Sequence, residues 1–158
     1  MNSSTSNKID ISIIIPAYNE EKRLPVFLDR VIQFCSKNSK AYEIVVVDDG
    51  SRDKTLAIAE AHKTLYSPMQ VIAMGKNEGK GYAVKRGFFE SRGDYCLFLD
   101  ADGSVEPEEI EKNIHFVDTD GYDIFVGSRF LHSDTQVLET KWHRRISGNI
   151  FNFLIRFS

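Results

Sequence analysis

Two carboxylates one residue apart, Asp100 and Asp102, leave the end of an apolar run, Tyr95–Asp100 (YCLFLD). On that spacing they can converge on one hard cation. Mg2+ is typically held by one or two carboxylates plus substrate phosphates. The competing reading is a solvated aspartate turn, which Gly103 would also mark. A second acidic pair, Asp48-Asp49, ends another apolar run and is followed by Gly50-Ser51. An acid in that place can accept hydrogen bonds from a ribose or a base edge, as the analogous acid does in dinucleotide sites. Helix capping competes here, because Asp49, Ser51 and Asp53 all suit a helix N-terminus. We assign Asp48 to a ligand and the later residues to the turn.

The segment Asn77-Glu78-Gly79-Lys80-Gly81 opens a helix. Glycines let backbone approach a phosphate, and a helix N-terminus favours anions. The pattern is not a Walker A loop, since Gly75 and Gly79 are four apart and Gly81 follows Lys80 where Ser or Thr would be needed. It lacks the third glycine of a dinucleotide fingerprint and does not follow the first strand. An ordinary turn with an exposed lysine is the alternative. Arg129 follows a short apolar run and a Gly-Ser turn, and Arg144-Arg145 begins the last helical stripe. Arginine matches phosphate geometry in a bidentate way, although each arginine taken alone also suits a plain surface.

These residues need a scaffold, and the chain alternates strand and helix. Strands are expected over 11–17, 42–48, 70–74, 95–100 and 124–126. Helices are expected over 20–38, 54–63 and 79–91, from Pro107 to about residue 117, and from Lys141 onward. The first helix carries a stripe at Leu24, Phe27, Leu28, Val31 and Cys35. Strict alternation of this kind predicts the α/β class, with a Rossmann-like, mostly parallel sheet flanked by helices. Ligands bind such sheets outside the carboxyl ends of the strands. Asn19, Glu20, Asp48, Asp49, Asp100, Asp102 and Arg129 all fall at those ends.

The 158 residues suit one domain. Cys35 and Cys96 cannot make a four-ligand zinc site, and the four histidines show no zinc-ligand spacing. Both cysteines sit among apolar neighbours and read as reduced core residues of a cytosolic protein. No apolar run approaches the ~20 residues that span a bilayer. The polar residues 1–8 read as a disordered tail without a signal core. Residues 141–158 hold Lys141, Arg144, Arg145 and Arg156 and no acid, with Trp142, Phe151, Phe153 and Phe157 among them. A basic helix with aromatic anchors can lie on an anionic membrane surface, while a packed helix with a solvated basic face is the plainer reading. The whole chain has a net charge of −3, which disfavours nucleic acid as a partner.

As a set, IIIPAYNEE (13–21), VVVDDGSRDKT (45–55), NEGKGYAVKRG (77–87), LFLDADGS (97–104) and VGSR (126–129) resemble the glycosyltransferase family 2 catalytic domain, in order and spacing as well as in letters. The resemblance spans residues 11–158 and implies the GT-A fold, with residues 9–158 as the catalytic domain. Within that family the chain is most similar to polyprenyl- or dolichyl-phosphate sugar synthases. Arg144-Arg145-x-x-Gly148-x-x-x-Asn152 resembles their Arg-Arg-x-x-Ser-x-x-x-Asn helix, with Gly148 where Ser is usual. The resemblance implies a nucleotide-sugar site of Pro16, Ala17, Tyr18, Glu20, Asp48, Lys80, Asp100 and Ala101. It implies that Asp102, with Asp100 nearby, holds Mg2+ or Mn2+ on the diphosphate. Arg129 and Arg144 would meet the acceptor phosphate, and Asp100, Asp102 and Arg129 would be catalytic.

Many polyprenyl-phosphate mannose synthases have Gln where this chain has Ser104, and the Asp-Ala-Asp-Gly form is seen with UDP-glucose. UDP-glucose is therefore favoured over GDP-mannose. The expected reaction is metal-dependent transfer of a hexose from a nucleotide diphosphate-sugar to a polyprenyl phosphate, with inversion. Such an acceptor is already anionic and needs no general base. The family normally continues past the position of Ser158, so a C-terminally truncated domain is expected. The expected location is the cytoplasm, peripheral on the membrane face through residues 141–158. Two alternatives compete. One is a nucleotide-sugar-binding fragment without turnover. The other is a haloacid dehalogenase-like phosphatase with Asp100 as nucleophile, which Asp100-Ala-Asp102-Gly103-Ser104 also resembles.

Overall fold

The computed structural model describes residues 8–110, which lie within the first of two compact units, residues 1–115. Four parallel strands form one sheet: β1 (Ile11–Ala17), β2 (Tyr42–Asp48), β3 (Met69–Ala73) and β4 (Tyr95–Phe98). The connections are α1 (Leu24–Lys37), α2 (Thr55–Lys63) and α3 (Lys80–Glu90). The expected strand 124–126, the helix beyond Ile110, Arg129, Arg144 and the basic segment 141–158 lie outside the described residues, as do residues 1–7.

The strand order is β3-β2-β1-β4. The chain steps outward from β1 through β2 to β3, then returns to place β4 on the other side of β1. The register brings Ile11 beside Tyr95 and Ile14 beside Phe98, and Ala17 beside Asp48 across β1 and β2. That reversal between β1 and β4 opens a crevice at the carboxyl ends of the strands.

Both faces of the central strands are covered, which is why β1 and β2 read as unbroken apolar runs rather than alternating ones. Ile11, Ile13 and Ile15 pack with Leu24, Phe27, Leu28 and Val31 of α1 on one face. Each such side chain contributes about 1.5–3 kcal/mol when fully buried. Ile14, Val45 and Val47 meet Ala83 of α3 on the other face. The helix can approach closely there because Gly87 has no side chain: a Cβ would fall 2.4 Å from a methyl of Ile14.

The boundaries differ from expectation where turns intervene. Helix α1 begins at Leu24, not at residue 20, with Pro25 in its first turn. Strand β4 ends at Phe98, two residues early, and Asp100 and Asp102 belong to the loop that follows. Cys35 is buried, as expected for a core residue, but Cys96 is exposed. Among the described residues β4 has only β1 as a neighbour, and alternate positions on it stand open.

At the opposite, amino end of the sheet lies a buried acid that composition alone does not single out. The Glu43 side chain is fully buried in β2. It accepts Ser12 Oγ at 2.6 Å, Arg92 N at 2.6 Å, Arg92 Nε and Nη2 at 2.9 and 2.7 Å, and Gln70 Nε2 at 3.2 Å. Burial by itself would raise its pKa, yet the hydrogen bonds from Ser12, Arg92 and Gln70 outweigh burial and hold it below the ordinary glutamate value. A carboxyl depressed in the folded state adds stability that is present above the ordinary range and is lost as pH falls through the folded value. Glu43→Gln should therefore cost about 1–3 kcal/mol near neutral pH and flatten the acid side of the stability curve. Urea midpoints measured from pH 7 downward check both effects.

Candidate functional site

A cavity of about 310 Å³ opens at the crevice between β1 and β4. Four loops build it, and the loop after β2 supplies Asp49. The loop after β1 supplies Tyr18, Glu20 and Arg23, the loop before α3 supplies Asn77 and Gly79, and the loop after β4 supplies Asp100, Ala101 and Asp102. Pro16 and Ala17 close the back, and Lys80 and Ala83 line it from α3.

The loops are tied together by side chain to backbone bonds across long stretches of sequence. Asn19, in the left-handed region at φ 54°, donates its N–H to Ser51 Oγ at 3.0 Å, and its side-chain oxygen accepts Arg52 N–H at 2.8 Å. Glu20 N–H reaches Thr55 Oγ1 at 2.7 Å, and Glu21 N–H reaches Asp53 Oδ2 at 3.2 Å. Asp53 also accepts Thr55 N–H at 3.0 Å, although the N-cap of α2 is Lys54 and not the expected Asp53. Burial would raise the Asp53 carboxyl, but its bonds from Thr55 and Glu21 prevail and lower it. Ser51 and Asp49, by contrast, serve other loops. Asp49 is 2% exposed and accepts Glu78 N–H at 2.7 Å and Gly79 N–H at 2.9 Å. Gly50, at φ 70°, permits that approach, since a Cβ there would lie 2.4 Å from the Lys76 carbonyl carbon.

Charges alternate around the cavity. Lys80 Nζ meets Asp100 Oδ1 at 2.5 Å and lies 5.6 Å from the centre of the Phe98 ring. That oxygen is shielded from solvent and accepts no well-aligned hydrogen bond, so the ion pair is its compensation. Arg23 Nε and Nη2 donate to both oxygens of Glu20, each at 2.5 Å. These bonds, then the charge of Glu20, raise the Arg23 pKa, with a smaller contribution from Asp102. Asp102 Oδ1 accepts Ser104 N–H at 2.9 Å. Four residues beyond Asp102, Glu106 pairs with Arg30 of α1 and ties this loop to the core helix.

Of the residues proposed from the sequence, Pro16, Ala17, Tyr18, Glu20, Lys80, Asp100, Ala101 and Asp102 meet at this one cavity. Asp48 does not line the cavity; it ends β2 in register with Ala17, which does. It is 2% exposed, its Oδ2 accepts Ser51 N–H at 3.2 Å, and its Oδ1 has no partner among the described residues. Arg129 and Arg144 fall outside the described residues. Sequence reasoning does not pick out Arg23, Asp49 or Ala83 as lining residues. Arg23 offers one usable signal, its position three residues after Glu20. Ala83 offers none beyond its place in the first turn of α3.

The donor set suits a hard divalent cation only in part. Asp100 and Asp102 offer two carboxylates, and among the described residues no group of three or more His, Cys, Asp or Glu side chains could hold a metal by itself. Two carboxylates completed by phosphate oxygens is the usual composition of a Mg2+ site on a nucleotide. Among the described residues no helix is long and apolar enough to cross a membrane.

A profile of Glycosyl transferase family 2 matches residues 12–158. A dolichyl-phosphate beta-glucosyltransferase of Dictyostelium discoideum is 40% identical over 138 residues, covering 81% of this chain and 42% of that protein. The Homo sapiens protein of the same name is 35% identical over 159 residues, covering 93% and 49%. An undecaprenyl-phosphate 4-deoxy-4-formamido-L-arabinose transferase of Pectobacterium atrosepticum is 33% identical over 150 residues, covering 94% and 44%. The chain thus spans about half the length of the curated relatives it matches. Among solved structures, S. aureus TarS 1-349 aligns with TM-score 0.55 and 28% identity over 70% of this chain and 32% of its own. Glucosyl-3-phosphoglycerate synthase of Mycobacterium tuberculosis, in complex with Mn2+, UDP and glucosyl-3-phosphoglycerate, aligns with TM-score 0.55 and 25% identity over 70% and 40%. The parallel sheet with flanking helices is that of these GT-A neighbours.

Proposed function

Because the chain belongs to glycosyltransferase family 2, we propose that it is a metal-dependent, inverting hexosyltransferase that takes glucose from UDP-glucose and delivers it to a polyprenyl or dolichyl phosphate. The observation that carries this reading is the meeting of Asp100, Asp102, Lys80 and Arg23 at one cavity beside the carboxyl ends of β1 and β4. The cavity has acids for a cation and cations for a diphosphate. The names of the relatives, dolichyl-phosphate beta-glucosyltransferases and an undecaprenyl-phosphate sugar transferase, supply the acceptor class and favour glucose. The neighbour solved with Mn2+ and UDP supports the metal and the base.

Each side chain then has a task. Pro16, Ala17 and Tyr18 form the wall against which the nucleoside rests. Asp48 offers its unpartnered, buried Oδ1 to a donor on the base or ribose. A buried acceptor left without a partner is costly, and a ligand N–H or O–H would relieve that cost. Glu20, held by Arg23, adds a second acceptor at the mouth. Asp102, with Asp100 beside it, would hold Mg2+ or Mn2+. Bound there with the diphosphate, that cation supplies Lewis-acid stabilisation of the leaving group. Lys80 adds a positive charge to the same leaving diphosphate. Arg129 and Arg144 receive the acceptor phosphate. That acceptor is anionic at neutral pH, so the proposed reaction requires no general base. Residues 141–158 bring the site to the cytoplasmic membrane surface where a polyprenyl chain resides.

Calorimetric titration with UDP and GDP, each with and without Mn2+, tests the reading. Binding of UDP that requires the metal, with GDP weaker by about tenfold or more (about 1.4 kcal/mol), is the expected result. Binding of neither nucleotide to the folded protein would overturn it. Metal-dependent GDP binding would move the donor to GDP-mannose.

A further inference from the structure

Helix α3 turns its small residues inward and its aromatic ones outward. Ala83 and Gly87 are its buried residues, so its rings do not serve the core. Tyr82 is 54%, Phe88 43% and Phe89 76% exposed. Tyr82, Lys85, Arg86 and Phe89 stand at i, i+3, i+4 and i+7, which puts them on one stripe of the helix. Lys85 Nζ lies 5.9 Å from the centre of the Phe89 ring. Arg86 pairs with Glu90 at 2.8 Å, and Glu90 is the only acid of α3 against Lys80, Lys85 and Arg86. The helix is thus locally basic in a chain of net charge −3. Single exposed apolar residues need no explanation, whereas a group of them rimmed by charge marks an interaction surface.

We propose that the outward face of α3 is a membrane-contact surface, in which Tyr82 and Phe89 enter the headgroup region and Lys85 and Arg86 meet lipid phosphates. Aromatic rings and cations on one helical stripe are the combination that settles on an anionic bilayer. The cations reach the phosphates while their stems lie along the apolar surface. The choice of a lipid surface over an acidic protein rests on the polyprenyl acceptor proposed above, whose chain lies in a bilayer. The place of α3 suits that acceptor. Its residues Lys80 and Ala83 line the donor cavity, so a bilayer along α3 lies beside the donor site. This surface is distinct in sequence from residues 141–158.

The test is co-sedimentation of the full chain with vesicles of phosphatidylcholine, alone or mixed equally with phosphatidylglycerol. Wild type should bind the mixed vesicles more tightly by about tenfold or more. Lys85→Gln combined with Arg86→Gln should weaken that binding by about 5–25-fold, at roughly fivefold per cation. Phe89→Ser should weaken it by about tenfold. Thermal unfolding and UDP–Mn2+ affinity should stay close to wild type in both variants. A local readout separates this surface from residues 141–158. In Phe89→Trp combined with Trp142→Phe, the one indole of the chain sits on α3. Its emission should shift to the blue on mixed vesicles and be quenched by brominated lipid. If wild type binds mixed vesicles but that indole does not respond, or the α3 variants bind like wild type, the contact lies elsewhere in the chain and the proposal fails. If wild type binds neither vesicle, it fails as well, while metal-dependent UDP binding would leave the donor site standing. If Phe89→Ser abolishes a dimer seen by sedimentation velocity without lipid, the face is an interface between copies and the proposal is overturned.

Discussion

Asp102→Asn should weaken Mn2+-dependent UDP binding by at least about 100-fold, since altering even the partners that orient a metal's ligands typically costs 10–100-fold. The substitution removes one negative charge and keeps the shape. Asp102 Oδ1 accepts Ser104 N–H at 2.9 Å, and an asparagine oxygen can accept the same bond. The turn after β4 is therefore preserved, and the effect falls on the cation. Unfolding temperature should stay close to wild type while the metal-dependent part of the calorimetric signal disappears. Unchanged UDP–Mn2+ affinity would remove Asp102 from the metal site. Asp100→Asn is expected to act differently, because it also deprives Lys80 of its partner.

The second large effect belongs to Asp49. Its carboxylate, 2% exposed, accepts two backbone N–H groups from the loop that opens α3. Hydrogen bonds to a charged group are worth about 1.5–3 kcal/mol each. Asp49→Ala leaves both N–H groups of Glu78 and Gly79 without this acceptor. It should lower stability by roughly 3 kcal/mol, less than the sum of the two bonds where water can enter the widened loop. It should also loosen Lys80, and UDP affinity should fall together with stability. Asp49→Asn keeps one acceptor oxygen and should recover about half of the loss. Urea unfolding and UDP titration on the two variants check this. An alanine variant as stable as wild type would mean that the loop is held by something other than Asp49.

The two aspartates of Asp48-Asp49 show where local reading reaches its limit. Their position at a strand end is plain from the run Tyr42–Asp48, whose seven residues are all buried. Asp49 as a cap for the following helix is a reasonable inference from residue type, and the structure overturns it, since the N-cap of α2 is Lys54. Its bonds go to residues 29 and 30 positions away, on a different loop. Nothing in the neighbourhood of Asp49 encodes that destination. Arg23 escapes notice for a related reason. A basic residue just before a helix is ordinary until the turn at Glu20–Arg23 delays the helix to Leu24 and aims the guanidinium at Glu20. Glu20 and Glu21 are compatible with helix by type, which puts the expected start of α1 too early. Their N–H groups are in fact claimed by Thr55 and Asp53. The apolar neighbours of Cys96 suggest a core position, and its exposure on β4, which pairs only with β1 among the described residues, contradicts it.

The letters of the chain suffice for the alternation of strands and helices, the buried character of β1 and β2, and the family. These follow from periodicity, from apolar runs bounded by turns, and from motifs whose letters and spacing recur together. Which acids face a ligand, which hold a loop, and which are already paired with a lysine emerges only once the chain has folded. Strand order is the physical reason. Placing β4 against β1 brings Asp100 to the wall formed by Pro16 and Ala17, and α3 carries Lys80 to Asp100. These contacts join residues far apart in the chain, and buried polar groups take whatever partner the packing brings within reach. Composition and spacing specify the groups; the crossing of the chain over its own first strand specifies their partners.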